Sequence, residues 1–199
     1  GAGDVTAPVV YVNYGLPADY RTLDSMGVDV RGKVAIARYG RSFRGIKARE
    51  AEKHGAVALI LYSDPLDDGF LVGEVYPDGP MRNPHGVQRG SILNSFGDPT
   101  TPGWPSTADA RRVAESELDL AKIPVVPIGY ANAERIMGRM RGPSIPDSWQ
   151  GGLGFRYRIG SDAVSARVAV WPERGERAYK DIANTFGTLR GAVSPDELV

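Results

Sequence analysis

The sequence predicts a mixed α/β domain: a β-rich core of parallel and antiparallel strands, two to four flanking helices, and long loops. Three observations carry this prediction. KVAIA (33–37) and AVALILY (56–62) are apolar runs rich in Val, Ile and Leu, the pattern of strands buried on both faces, and IKAREAEKH between them is a good helix former closed by Gly55. AVSARVAVWP (163–172) alternates apolar and polar residues as an antiparallel strand does. From about residue 66 to 122 the chain instead carries DDGF, YPDGP, RNPHG and FGDPTTPGWPS, a loop-rich stretch of a length that is usually functional or tied down by ions and partners.

Taken in order, VVYVNYG (9–15) reads as a strand and PADYRTLDSMG (17–27) as a helix, with Pro17 suited to its first turn and Gly27 as its terminator. The strand–helix–strand unit of 33–62 follows; its connection is long enough for a crossover, so its two strands should be parallel neighbours. ADARRVAESELDLAK (108–122) is helix-compatible in part, with weak hydrophobic spacing. IPVVPIGY (123–130) is a strand with proline at its edges, and ANAERIMGRM is a helix with Ala133, Ile136, Met137 and Met140 on one side. PDSWQGG is a turn, GLGFRYRIG (152–160) a further alternating strand, and KDIANTFGTLRGAV (180–193) reads as strand, turn, strand. No internal repeat or low-complexity tract stands out.

Composition narrows the function. The 199 residues carry 24 basic and 24 acidic side chains, so no global field favours nucleic acid or an acidic membrane surface, and charge recognition must be local. There is no cysteine, which removes disulfides, thiolate catalysis and cysteine metal sites. The two histidines, His54 and His85, have no second ligand at zinc spacing. The patterns H-E-x-x-H, G-x-S-x-G and the phosphate-cradling P-loop are all missing, and Ser42, Ser63 and Ser91 have no evident His–Asp partners. Alone, this chain is not expected to catalyse a reaction. GAGDV reads as an internal start, which suggests a piece of a longer protein.

The local charge lies in RYGRSFRG, which places Arg38, Arg41 and Arg44 at the carboxyl end of the first central strand. Ligands of open α/β sheets bind beyond such ends, and a guanidinium fork suits a carboxylate. By residue chemistry alone, Arg44 is either such an anchor or a solvated surface arginine paired with a nearby Asp or Glu. Arg38 and Arg41 are expected to be structural or merely electrostatic. His54, beside a helix end, is expected at the surface.

ARYGRSFRGIK followed by ILYSDP, YPDGP, VQRGSILN, GDPTTPGWPS, IPVVPIGYANAERIM, PDSWQGGL and GTLRGAVSPDELV, in that order over nearly the whole chain, resembles the protease-associated (apical) domain of the glutamate carboxypeptidase II and transferrin-receptor-like family of zinc peptidases. The resemblance implies a protease-associated domain over 1–180 and, over 181–199, a hairpin belonging to a truncated zinc peptidase domain. In the family the arginine matching Arg44 contacts the α-carboxylate of the substrate's C-terminal glutamate. An asparagine stands where this chain has Ser91 and helps hold the glutamate side chain; serine keeps a donor but shortens the reach, which puts strict glutamate preference in doubt. The alternative for Ser91 is a place in a loop hydrogen-bond network. Tyr62 would line the same pocket or belong to the core.

GDPTTPGW resembles the family's calcium turn, with Thr101 and Trp104 at the ligating positions, the latter through its carbonyl. The other carboxylate ligands would lie in the catalytic domain, so the turn alone should not hold calcium; the alternative is a rigid proline loop with no ion. For the parent protein the resemblance implies two zinc ions that activate a bridging water, one calcium, a peptide substrate with an acidic C-terminal residue, contact with its own catalytic domain, a homodimer, and an extracellular, periplasmic or membrane-anchored setting. The rival implication is a non-enzymatic receptor or protein-interaction module of the transferrin-receptor type. A free-standing interaction domain is a third.

Overall fold

Two central strands with every residue buried set the frame: β2 (Val34–Arg38) and β3 (Ala58–Tyr62). The computed structural model describes residues 1–94, 97–160, 162–173, 183 and 185–196. β2 and β3 pair in parallel, Ala35 opposite Leu59 and Arg38 opposite Tyr62, as the crossover requires. The crossover helix α2 (Arg44–Lys53) lays Ala48 and Ala51, both fully buried, against the sheet, and small side chains there let the helix approach closely. It ends as the sequence predicts, with Gly55 at φ +79° and the Ala56 N–H returning to the Ala51 carbonyl.

The full sheet runs β4-β3-β2-β1-β5. Its first strand, β1 (Gly3–Tyr11), changes partner along its length. Residues 3–8 pair antiparallel with β5 (Ser165–Val170), and residues 9–11 pair in parallel with β2. The sequence places this strand at 9–15, because GDVTAP has no apolar run. The antiparallel half needs only one buried face, and its burial alternates accordingly. α1 (Pro17–Ser25) carries the chain from β1 to β2 and buries Tyr20 and Leu23. β4 (Val125–Ile128) holds Pro127 in the ladder opposite Leu61, tolerated because β4 is an edge strand. The edge strands β4 and β5 also approach one another, so the sheet curls. α4 (Tyr130–Met137) buries Tyr130, Ala133 and Met137; Met140, beyond the helix end, is also buried.

Three expectations are corrected. GLGFRYRIG alternates inward as expected, with Tyr157 and Ile159 fully buried, but forms only a single bridge, Ser144 with Arg158. Its backbone bonds are split: Gln150 accepts from the Tyr157 N–H at 3.1 Å and donates to the Phe155 carbonyl at 3.0 Å, while the Ile159 carbonyl accepts from the Tyr11 N–H at 2.8 Å and the Ile159 N–H donates to the Pro143 carbonyl at 3.1 Å. Residues 108–122 contain only a short 3-10 turn, Glu115–Glu117, in a largely exposed segment with little apolar face to hold a longer helix. Of the terminal 180–193 segment, 180–182 and 184 lie outside the described residues, while 185–193 carry no strand and expose Phe186, Leu189 and Val193. After β3, α3 (Pro65–Asp68) opens the long connection to β4, capped by the Asp64 carboxylate on the Leu66 N–H. No helix among the described residues is long and apolar enough to cross a membrane.

Candidate carboxylate-binding site at the start of α2

The loop between β2 and α2 is built on buried cations. Arg38, at the end of β2, is 1% exposed. Its Nη2 donates to Asn13 Oδ1 at 2.9 Å, its Nη1 lies 3.5 Å from Asp67, and its guanidinium sits 4.1 Å from the Tyr14 ring centre. Arg41 adopts φ +65° and faces the same ring at 5.6 Å, and Tyr14 itself donates to Asp67 at 2.7 Å. Both arginines thus belong to the scaffold, as the sequence suggested.

Lys47, one turn into α2, was not singled out by sequence. It is fully buried, and its Nζ donates to the carbonyls of Tyr14 (2.5 Å) and Gly40 (2.7 Å), pinning the loop after β1 to the loop before α2. Burial lowers its pKa to about 8 from 10.5. Between about pH 8 and 10.5 the unfolded chain therefore holds more protons at this site than the folded one, and stability rises with pH across that window; below pH 8 the burial penalty is present in full. Above about pH 10 the sign reverses, because burial raises the phenols of Tyr11, Tyr20, Tyr62 and Tyr157 above their ordinary value. Urea midpoints are expected to climb from pH 8 toward 10 in the wild type and to stay level in Lys47→Met. An equal climb in the variant would assign it to another group.

Arg44 is the first residue of α2. The N-cap position is Phe43, which has no side-chain oxygen to offer, and the first turn contains no acidic residue. The helix start thus has no side-chain cap among the described residues and a guanidinium beside it. Arg38, Arg49, Arg82, Arg112, Arg156 and Arg167 all lie within ion-pair distance of carboxylates, although the buried Nε and Nη1 of Arg38 make no hydrogen bond among the described residues. Arg44 instead lies against the Phe43 ring at 5.2 Å and the backbone of Gly90, and its buried Nε has no hydrogen-bond partner among the described residues.

Ser91 follows Gly90 directly, so the fold brings the VQRGSILN segment onto the Arg44 head. Ser91 is exposed, and its Oγ accepts from the Leu93 N–H at 3.0 Å, an arrangement that leaves its own hydroxyl hydrogen free to donate elsewhere. The segment is held by Tyr39, which donates to the Gln88 carbonyl at 2.9 Å.

Tyr62 is placed in the core rather than on this site. It is fully buried, and its hydroxyl donates to Asp64 Oδ2 at 3.0 Å. Asp64, unflagged by sequence, is the hub of a buried network. It accepts from Tyr62, from Tyr157 at 2.5 Å, and from the N–H groups of Leu66 (3.0 Å) and Gly152 (2.6 Å). The S-D-P turn was visible in sequence; its partners, some 90 positions away, were not. His54 is half-buried and stacked on Tyr20, with ring centres 4.1 Å apart, so it is less of a surface residue than expected.

The 97–106 loop is folded around Asp98, which sequence reading passed over. Asp98 accepts from Thr100 Oγ1 (2.6 Å), Ser106 (2.6 Å) and Arg112 (2.7 Å), and these bonds hold its pKa below the ordinary carboxylate range. Thr101 is buried, its carbonyl taken by the Trp104 N–H at 3.2 Å, while Trp104 is partly exposed and donates from its indole to the Arg111 carbonyl. The carboxylate of this loop is already paired with an arginine, and the other oxygens are neutral. The described residues contain no group of three His, Cys, Asp or Glu that could hold a metal, so they do not fit a zinc site.

Comparison with known proteins agrees with this architecture. The family model described as "PA domain" matches residues 5–136. The chain is 39% identical over 209 residues to a glutamate carboxypeptidase 2 homolog of Caenorhabditis briggsae, covering 100% of this chain and 27% of that protein. It is 34% identical over 210 residues to the aminopeptidase NAALADL1 of Rattus norvegicus, covering 99% of this chain and 28% of that protein. A solved structure, a zinc aminopeptidase from Bacillus subtilis, aligns with 30% of this chain and 13% of its own at 32% identity, with a TM-score of 0.26. The chain spans about a quarter of the length of the curated relatives it matches. By the family model's match over most of its length, the chain belongs to the PA domain family.

Proposed function

We propose that this PA domain acts as lid and substrate-anchoring element of a glutamate carboxypeptidase II-like zinc metallopeptidase, with Arg44 holding the C-terminal carboxylate of a peptide. One observation carries the reading: Arg44 stands at a helix start with no side-chain cap, and among the described residues its buried Nε has no hydrogen-bond partner, while six other arginines are paired with acids. A carboxylate accepting from the guanidinium and the helix N–H groups would complete that site. Anchoring one end of the peptide fixes the scissile bond relative to metals that other parts of the protein would supply, and so turns binding energy into orientation. Ser91 would offer a short hydroxyl donor beside the anchor. Zinc ligands and the carboxylates needed to complete a calcium site at Thr101 and Trp104 would come from outside this chain.

The relatives' names include both a carboxypeptidase and an aminopeptidase, and the substrate's two ends separate these. An enzyme anchored by Arg44 needs a free C-terminus and is indifferent to a blocked N-terminus. The full-length zinc-loaded protein is therefore expected to cleave N-acetylated dipeptides with acidic C-terminal residues. Cleavage only of peptides with a free amino terminus would contradict the anchoring role. Absence of both zinc binding and peptide cleavage would favour the receptor-type reading.

A further inference from the structure

We infer that Gly90 is a specificity-determining positioning residue: its bare backbone sets where the Arg44 guanidinium is presented to a peptide carboxylate. The inference rests on the anchoring role proposed for Arg44. A Cβ built on Gly90 would overlap the Arg44 Nη2 and Cζ atoms and come within 2.6 Å of Nε. All three, the nearest atoms it would meet, belong to the guanidinium head. Gly90 does not adopt a left-handed conformation, so the close approach of the arginine, and not chain geometry, excludes a larger residue.

The segment that carries Gly90 is fastened on both sides of it. Upstream, Gln88 accepts from Tyr39 through its carbonyl at 2.9 Å and from Ser63 through its side chain at 3.4 Å. Downstream, the Ile92 carbonyl and Asn94 Oδ1 press on the first turn of α2, where a Cβ on Gly45 would meet them at 2.5 and 2.6 Å. The guanidinium is thus confined between a held backbone and the Phe43 ring at 5.2 Å. A methyl group at position 90 would move the flexible head of Arg44 and leave the fold in place. The anchor would then sit off the line of the carboxylate, and a bidentate pair tolerates little displacement.

The test uses the full-length zinc-loaded protein and a dipeptide with a free acidic C-terminus, comparing wild type, Gly90→Ala, Arg44→Ala and the double variant. Gly90→Ala is expected to raise KM about tenfold with kcat within about twofold, the pattern of lost ground-state binding. Its urea midpoint should match the wild type. In the Arg44→Ala background the same change should cost nothing more, because no guanidinium remains to displace. An unchanged KM in Gly90→Ala, with Arg44→Ala impaired, would overturn the positioning role and leave the anchor standing. Losses that add in full, or a lowered urea midpoint accounting for them, would overturn it in favour of a structural glycine. A silent Arg44→Ala would sink the anchor and this inference with it.

Discussion

Arg44→Ala in the full-length protein is expected to lower kcat/KM for acidic-C-terminal dipeptides on the order of 10²-fold, roughly 3 kcal/mol of lost transition-state binding. The size follows from what the residue has available. A charge-assisted pair with a carboxylate at a partly buried site is stronger than an exposed ion pair, and the uncapped start of α2 adds to the field there. Arg44→Lys should recover only part of the loss, since an ammonium keeps the charge but not the planar fork. The folded domain should tolerate both changes, because among the described residues Arg44 makes no ion pair with the scaffold as Arg38 does. A variant that loses activity and urea stability together would point to misfolding instead.

Asp64→Ala is expected to cost the 199-residue chain about 3–5 kcal/mol, with a fall in Tm of roughly 10 °C. The carboxylate has no exposure and satisfies two buried phenols and two partly buried backbone N–H groups, so its removal leaves four donors without their acceptor at once. Gly151 packs directly against it, which leaves little room for compensating water or rearrangement. Tyr157→Phe removes one donor from the same hub and should cost about 1 kcal/mol. The checks are urea denaturation and thermal unfolding of the three proteins side by side. A loss below about 1 kcal/mol for Asp64→Ala would show that this network does not hold the 150–157 segment to the end of β3.

What could be read from the sequence follows from where the governing contacts lie. The β2–α2–β3 unit was legible because burial on both faces leaves continuous apolar runs, and because Gly55 marks a left-handed helix end within the same segment. The early start of β1 was not, because residues 3–8 are held by a strand more than 150 positions away and need only alternate burial. GLGFRYRIG has the alternation of a strand, yet its backbone bonds are shared among the Gln150 side chain, Tyr11 and Pro143, and no periodicity argument detects that division. Arg44 was raised by the residue chemistry of its strand-end loop and by the resemblance, Ser91 by the resemblance, and the structure brings their two segments together. Lys47, Asp64 and Gly90 were passed over because each meets partners brought near only by the tertiary fold, whereas Asp98 bonds within its own loop and to Arg112. Tyr62 was offered to the pocket or to the core, its strand-end position favouring the core, and it is fully buried with its hydroxyl on Asp64.

The most direct measurement is the ratio of kcat/KM for a dipeptide acid to that for its C-terminal amide, taken on the zinc-loaded full-length protein and on its Arg44→Ala variant. If Arg44 holds the carboxylate, the wild type strongly prefers the acid, and the variant loses most of that preference while its rate on the amide stays close to wild type. A wild-type ratio near one, or a preference that survives the loss of Arg44, would contradict the account.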